Sequence, residues 1–113
     1  MKKFMVLYMA PIEEFATAMA ETTPEQQKEL MDGWMAWMSA NQDSIVDGGA
    51  PLGATRRVDG EGVSTVKNEL GGYTIVQAES HDEAAELFDD EHPHFTMPGA
   101  WIEIVEIMPM PSG

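Results

Sequence analysis

Cysteine is absent from this chain of 113 residues, and basic residues are scarce. Without a thiol there can be no disulfide, no zinc–thiolate site, no iron–sulfur cluster and no cysteine nucleophile. Six Lys and Arg stand against twenty Asp and Glu, which gives a formal net charge of −14. Phosphate backbones and anionic lipids repel such a surface, so we expect no nucleic acid and no membrane as partners.

Long apolar runs are also lacking. The opening MKKFMVLYMAP contains only about six consecutive apolar residues before Glu13 and Glu14, whereas a signal peptide needs about 7–15. We therefore expect a cytoplasmic protein. A chain of this length can enclose one hydrophobic core but not two, so the sequence predicts a single domain over residues 1–113.

The start and stop signals of helices and strands predict an α+β fold. The clearest signal is a capping box, in which Thr23 precedes Pro24 and is followed by Gln26, and it predicts a helix to about Asn41. The other predicted elements are a strand at 3–9, a helical turn or lid at 12–20, a short edge strand after Ser44, a hairpin of Thr55–Val58 with Val63–Val66, a central strand at 72–78, a second helix from Ser80 to Pro93, and a last strand at 101–108. This order predicts a ferredoxin-like antiparallel sheet with two helices on one face.

The strands are apolar on both faces, which predicts an assembly. Two helices cover only one face, and soluble monomers rarely expose a large apolar patch. The alternating sets are Phe4, Val6 and Tyr8 against Met5, Leu7 and Met9 in the first strand, Tyr73 and Ile75 against Thr74 and Val76 in the central strand, and Trp101, Val105 and Ile107 against Ile102 and Ile104 in the last. We expect a two-fold homodimer packed sheet against sheet.

Several stretches together resemble the YCII-related family, which includes the DGPF-domain proteins. The resemblance covers nearly the whole chain and rests on the order of MKKFMVLYMAP, TPEQQKELMDGWMAWM, GGAPL, KNELGGYTIVQAES, DEAAELF, the HP after it, and WIEIVEI. It implies a dimeric α/β barrel of ferredoxin-like subunits with a cavity between sheet and helices. The DGPF motif itself is degenerate, because Asp59-Gly60 is followed by Glu61, Gly62 and Val63.

His92 occupies the position of the family's HP and is the candidate catalytic residue. The resemblance implies acid–base chemistry by a His and an Asp in some branches, and a histidine titrates near neutral pH. The competing interpretation makes His92 a cation at the end of the second helix, where it would offset Asp89, Asp90 and Glu91. In an extended segment His94 would project to the same side as His92, and the acids could complete a metal site. We expect no metal and no cofactor.

Four further residues are candidates for ligand binding: Arg56, Arg57, His94 and Trp34. An inward-facing Arg56 or Arg57 could hold the carboxylate of a small organic acid, although either could instead pair with one of the many surface acids. Trp34 belongs to a set of three Trp and ten Met, which predicts either an ordinary core or a pocket for apolar ligands.

Two functions remain open on the sequence. The first is a small enzyme that performs acid–base chemistry on a small organic acid in a cavity between the elements. The second is a non-catalytic dimeric module that binds a metabolite or a protein and serves regulation. A cofactor-free oxygenase is a third interpretation, and it rests on fold analogy alone.

Overall fold

A computed structural model describes residues 1–110 of the chain. The main sheet has the order β2-β5-β1-β6, and every neighbouring pair is antiparallel. Its strands are β1 (Lys2–Met9), β2 (Ile45–Pro51), β5 (Leu70–Ala78) and β6 (Trp101–Ile107). The other elements are α1 (Ile12–Glu21), α2 (Pro24–Ala40), β3 (Thr55–Asp59), β4 (Gly62–Val66), α3 (His81–Ala85) and two 3₁₀ turns, Gln42–Ser44 and Pro93–Thr96.

This architecture confirms the predicted ferredoxin-like α+β fold. The two most apolar strands, β1 and β5, are central, and Phe4 pairs with Val76 while Val6 pairs with Thr74. The alternation predicted from the sequence is present, because Phe4, Val6 and Val76 are completely buried beneath the helices. The opposite face is less covered, and Val105 on that face is 48% exposed.

The hairpin of β3 and β4 forms where it was predicted, but it makes a separate two-stranded sheet. Val58 and Val63 face each other across it and are 75% and 66% exposed. A two-stranded hairpin is marginally stable by itself. The hairpin is therefore an appendage of the chain and contributes nothing to the main sheet.

The predicted start of α2 is confirmed in atomic detail. The Thr23 hydroxyl accepts from the Gln26 N–H, and the Gln26 side chain accepts from the Thr23 N–H, while Pro24 occupies the first helical position. The segment predicted as a helical turn or lid is a complete helix, α1, which begins directly after Pro11. Both helices border the cavity described below.

The second predicted helix is much shorter than expected. Ser80 caps α3 as predicted, but the helix ends at Ala85 and does not reach Pro93. Three acids at the end of the predicted helix oppose its macrodipole. The Asp89 carboxylate also accepts from the Glu91 N–H, a local bond that competes with helical hydrogen bonding. His92 is consequently not a helix C-terminal residue; it caps the 3₁₀ turn Pro93–Thr96.

Gly49 holds the edge strand β2 against β5, and its replacement should be costly. Its φ is +72°, and an added Cβ would overlap the carbonyl oxygen of Tyr73. We expect Gly49→Ala to lower the free energy of unfolding by about 3 kcal/mol. Gly53→Ala is the matched control, since no atom lies within 4 Å of its added Cβ. Urea denaturation of both variants measures the difference, and equal midpoints would contradict the expectation.

Candidate functional site

A cavity of about 690 Å³ lies between the buried face of the sheet, α1, α2 and the 3₁₀ turn Pro93–Thr96. Its lining is mainly apolar. Phe15, Leu30, Met31, Trp34, Met35, Met38, Pro93 and Met97 form the walls, and the backbone of β2 and β5 forms much of the floor. Its volume is that of a site for a small organic molecule.

Charge is almost absent from this lining. Of the lining residues that the structure describes, none is Lys, Arg, Asp or Glu, and the ionisable ones are Tyr8, Tyr73 and His94. The described lining therefore offers no ion-pair partner to a carboxylate or an ammonium ion.

His94 is held rigidly at the cavity wall. Its Nε2 lies 2.7 Å from the carbonyl oxygen of Met9 and 3.1 Å from that of Trp101. Met9 and Trp101 are paired across β1 and β6, so the ring caps the end of that strand pair. Carbonyl oxygens only accept, so Nε2 carries the proton. In the neutral ring Nδ1 is then the unprotonated nitrogen, and it has no hydrogen-bond partner within residues 1–110.

Tyr8 and Thr74 form a buried hydrogen-bonded pair on the cavity floor. Their hydroxyl oxygens are 2.9 Å apart, and the Thr74 hydroxyl donates to the carbonyl oxygen of Gly48 at 3.3 Å. Burial raises the pKa of Tyr8 to about 12, against a smaller opposing effect of the Thr74 hydrogen bond. Tyr8 therefore keeps its proton at any physiological pH.

His92 does not line the cavity; it lies behind the residues that do. The ring is 2% exposed and is enclosed by aromatic rings, with centroids at 4.7 Å for Trp34, 4.9 Å for Trp37 and 5.3 Å for Phe88. Its Nδ1 accepts from the His94 N–H at 3.1 Å, so the neutral ring carries its proton on Nε2. Desolvation, with a smaller effect of His94, lowers the pKa of His92 to about 4. His92 is thus neutral at pH 7.

Of the other residues proposed from the sequence, one lines the cavity and two lie outside it. Trp34 lines the cavity as expected for an apolar pocket. Arg56 and Arg57 lie on the exposed hairpin, outside the cavity, and the Arg56 guanidinium donates to the Thr65 hydroxyl. Neither arginine is placed to hold a carboxylate in this cavity. Within residues 1–110 there is no group of three or more His, Cys, Asp or Glu side chains arranged for a metal ion.

Tyr8, Thr74 and Gly48 were not recognised as site residues from the sequence. The available signal was alternation, because Tyr8 and Thr74 are polar residues at positions that the pattern assigns to the buried face. Their hydroxyls must find partners there. Their contact with each other and with Gly48 depends on the strand order, which alternation alone does not specify.

Comparison with known proteins places the chain in a family. The YCII-related domain matches residues 4–111. The chain belongs to the YCII-related family. No curated protein matches it.

Among the solved structures that match this YCII-related chain is one with the same fold over nearly its whole length. It is the 5-chloro-2-hydroxyhydroquinone dehydrochlorinase from Burkholderia phenoliruptrix AC1100, in complex with 2,5-dihydroxybenzoquinone. The TM-score is 0.50 and the sequence identity 17%, with 89% of this chain and 90% of that chain covered. At this sequence identity the likeness supports the fold.

Among the described residues of the present chain, no helix is long and apolar enough to span a membrane.

Burial of neutral His92 should make this YCII-related chain sensitive to acid. The pKa of His92 is about 4 in the folded chain against 6.5 for a free histidine. Between these values the unfolded chain takes up a proton that the folded chain does not. The contribution to stability is therefore complete above pH 6.5 and declines as the pH falls towards 4, by about 3 kcal/mol.

The variant His92→Phe isolates this effect. We expect it to lose about 1 kcal/mol at pH 7, because the His94 N–H loses its acceptor, and to show a flatter decline between pH 6.5 and 4. His81→Gln is the control, since His81 is exposed and should leave the decline unchanged. Chemical denaturation at several pH values measures both. Parallel curves for wild type and His92→Phe would refute the assignment.

Proposed function

We propose that this chain is a small enzyme that transfers a proton to and from a small, uncharged and largely apolar organic molecule. His94 acts as the acid–base group. Its neutral Nδ1 accepts a proton from the bound molecule to give imidazolium, and the imidazolium returns a proton to the same or a neighbouring atom. No other species is consumed in that cycle.

The observation that carries the proposal is the orientation of His94. Two backbone carbonyls hold its Nε2–H, which fixes the tautomer and leaves Nδ1 available at the wall of a cavity. In this site two backbone carbonyls orient the ring, a role that a carboxylate has in other acid–base sites. The enclosed and neutral His92, which the sequence favoured, supports His94 from behind through the bond to its N–H.

The lining supports an uncharged ligand in place of the small organic acid suggested by the sequence. That suggestion depended on Arg56 or Arg57 facing inward, and both lie on the exposed hairpin. Met and Trp side chains adapt to flat apolar molecules of different shapes. The dehydrochlorinase with the same fold is described in complex with a dihydroxyquinone, a flat molecule of the size that this cavity can hold.

We also propose that the working unit is a homodimer packed through the open sheet face. That face carries apolar side chains in all three strands with alternating patterns, including Leu7, Ile75 and Val105, and the helices leave it uncovered. A second copy offers the same apolar surface and allows closed two-fold symmetry. The cavity lies on the other side of the sheet, so each subunit keeps its own site.

Hydrogen–deuterium exchange tests the proposed activity. The full chain is incubated in D₂O with small uncharged ketones and phenols, and loss of the ligand hydrogens next to the carbonyl or hydroxyl group is followed by NMR. We expect saturable exchange, faster than in buffer, for compounds that bind in the cavity. Compounds that shift the resonances of Trp34 and His94 without any exchange would favour the alternative, a binding module without catalysis.

A further inference from the structure

The hydrogen bonds of the cavity floor run in one direction. The Thr74 hydroxyl has a single hydrogen, and the carbonyl oxygen of Gly48, 3.3 Å from Thr74 Oγ1, can only accept it. We assign the Thr74 hydrogen to Gly48, and with that assignment the 2.9 Å contact between Tyr8 and Thr74 is made with the Tyr8 hydrogen. The chain of donors runs from Tyr8 to Thr74 to Gly48, and the phenol oxygen of Tyr8 is left with lone pairs only.

His94 presents the same kind of group. In the neutral ring its Nε2–H is used by the carbonyls of Met9 and Trp101, so Nδ1 offers a lone pair. The rings of Tyr8 and His94 are neighbours, with centroids 5.3 Å apart, and both line the cavity. Two side-chain acceptors therefore lie side by side in a mainly apolar site.

From this arrangement we propose that the ligand is an uncharged ring compound with two hydroxyl groups, such as a benzenediol, whose hydroxyls donate to Tyr8 Oη and His94 Nδ1. A ligand that donates to both atoms gains two hydrogen bonds that a ligand without donors cannot make, so the diol is favoured. The aromatic ring suits the walls of Trp34 and Met38. The proposal rests on the acid–base role of His94, because His94 Nδ1 would take the proton of the hydroxyl bound to it and return a proton to the ring carbon next to that hydroxyl, the position whose exchange is measured.

A panel of isomers tests the donor requirement. The affinities of catechol, resorcinol and hydroquinone for the full chain are measured by calorimetry, each beside its dimethyl ether, which has the same ring but no donor. We expect at least one diol to bind about 10- to 100-fold more tightly than its ether, from the loss of two hydrogen bonds. Ethers that bind as tightly as the diols would overturn the proposal.

The variant Thr74→Val tests the direction of the donor chain. Valine has nearly the same shape as threonine but cannot accept, so the Tyr8 hydrogen becomes available to the ligand. We expect the preference for the diol over its ether to fall about tenfold, because the ether oxygen now has a donor. Thr65→Val, on the exposed hairpin, is the control and should leave the ratio unchanged. If Thr74→Val leaves the ratio of diol affinity to ether affinity unchanged, the direction assigned to the hydrogen bonds from Tyr8 to Thr74 to Gly48 is contradicted.

A second variant keeps the test valid if Thr74→Val fails to fold. Tyr8→Phe removes one acceptor and should lower the ratio of diol affinity to ether affinity about tenfold.

The outcomes also separate the proposed ligand class from the proposed acid–base role of His94. Exchange catalysed on ketones without a diol preference would reject the ligand class and leave the acid–base role intact, whereas no binding and no exchange with any compound would reject both.

Discussion

Replacing His94 by glutamine should lower the rate of proton exchange by about 10²- to 10⁴-fold, the range expected for loss of a general acid–base group. The glutamine amide can still donate to the carbonyl of Met9 or Trp101, so the end of the β1–β6 pair keeps its hydrogen bond. It cannot take a proton from the ligand. We therefore expect binding to change far less than turnover.

His81→Gln is the matched control for that variant. It makes the same chemical change at an exposed ring whose Nε2 contacts the carbonyl oxygen of Ile104, away from the cavity lining. We expect its exchange rate to equal that of the wild type. A His94→Gln chain that folds normally and still exchanges the ligand hydrogen within threefold of the wild-type rate would remove His94 from the mechanism.

The substitution Ile75→Glu should convert the proposed dimer into monomers. Ile75 lies on the open face of the central strand β5, and two-fold symmetry would bring two copies of any substitution into the interface. A buried carboxylate without a partner costs about 3–5 kcal/mol, and two copies weaken the dimer by at least about 10⁴-fold. Sedimentation velocity of the wild type should give twice the mass of the chain, and that of Ile75→Glu the mass of one chain.

Ala36→Glu provides the comparison for this substitution. Ala36 is exposed on α2, on the other side of the molecule from the open sheet face, so the same new charge should leave the dimer intact. A wild-type chain that sediments as a monomer at high concentration would contradict the proposed assembly. It would leave the cavity and the role of His94 unaffected, since both lie within one chain.

The sequence predicted the fold well because its signals were local. A capping box places the start of α2, and alternation in β1 and β5 identifies the buried face before any contact is known. The predicted length of α3 was wrong. The apolar spacing continues to Phe88, but the acids that follow favour a turn. Whether this segment forms a helix or a turn depends on a local competition between hydrogen bonds, and the spacing of apolar residues does not show which of them wins.

The geometry of the candidate site follows from the sequence only in part, because its side chains come from distant segments. The sequence identified the His92-Pro93-His94 segment but favoured the histidine that the structure encloses in aromatic rings. The difference between His92 and His94 follows from the 3₁₀ turn, which directs one ring into the core and the other to the ends of β1 and β6. An extended segment, as assumed from the sequence, would have placed them on the same side.

Nitrogen NMR of the three histidine rings tests the central claim, that His94 and not His92 faces the ligand. We predict that His94 shows a protonated Nε2 and an unprotonated Nδ1, that this Nδ1 resonance shifts when hydroquinone or another binding diol is added, and that His92 remains neutral down to about pH 4. A His92 ring that titrates near neutral pH and responds to the ligand while His94 stays unchanged would contradict the account.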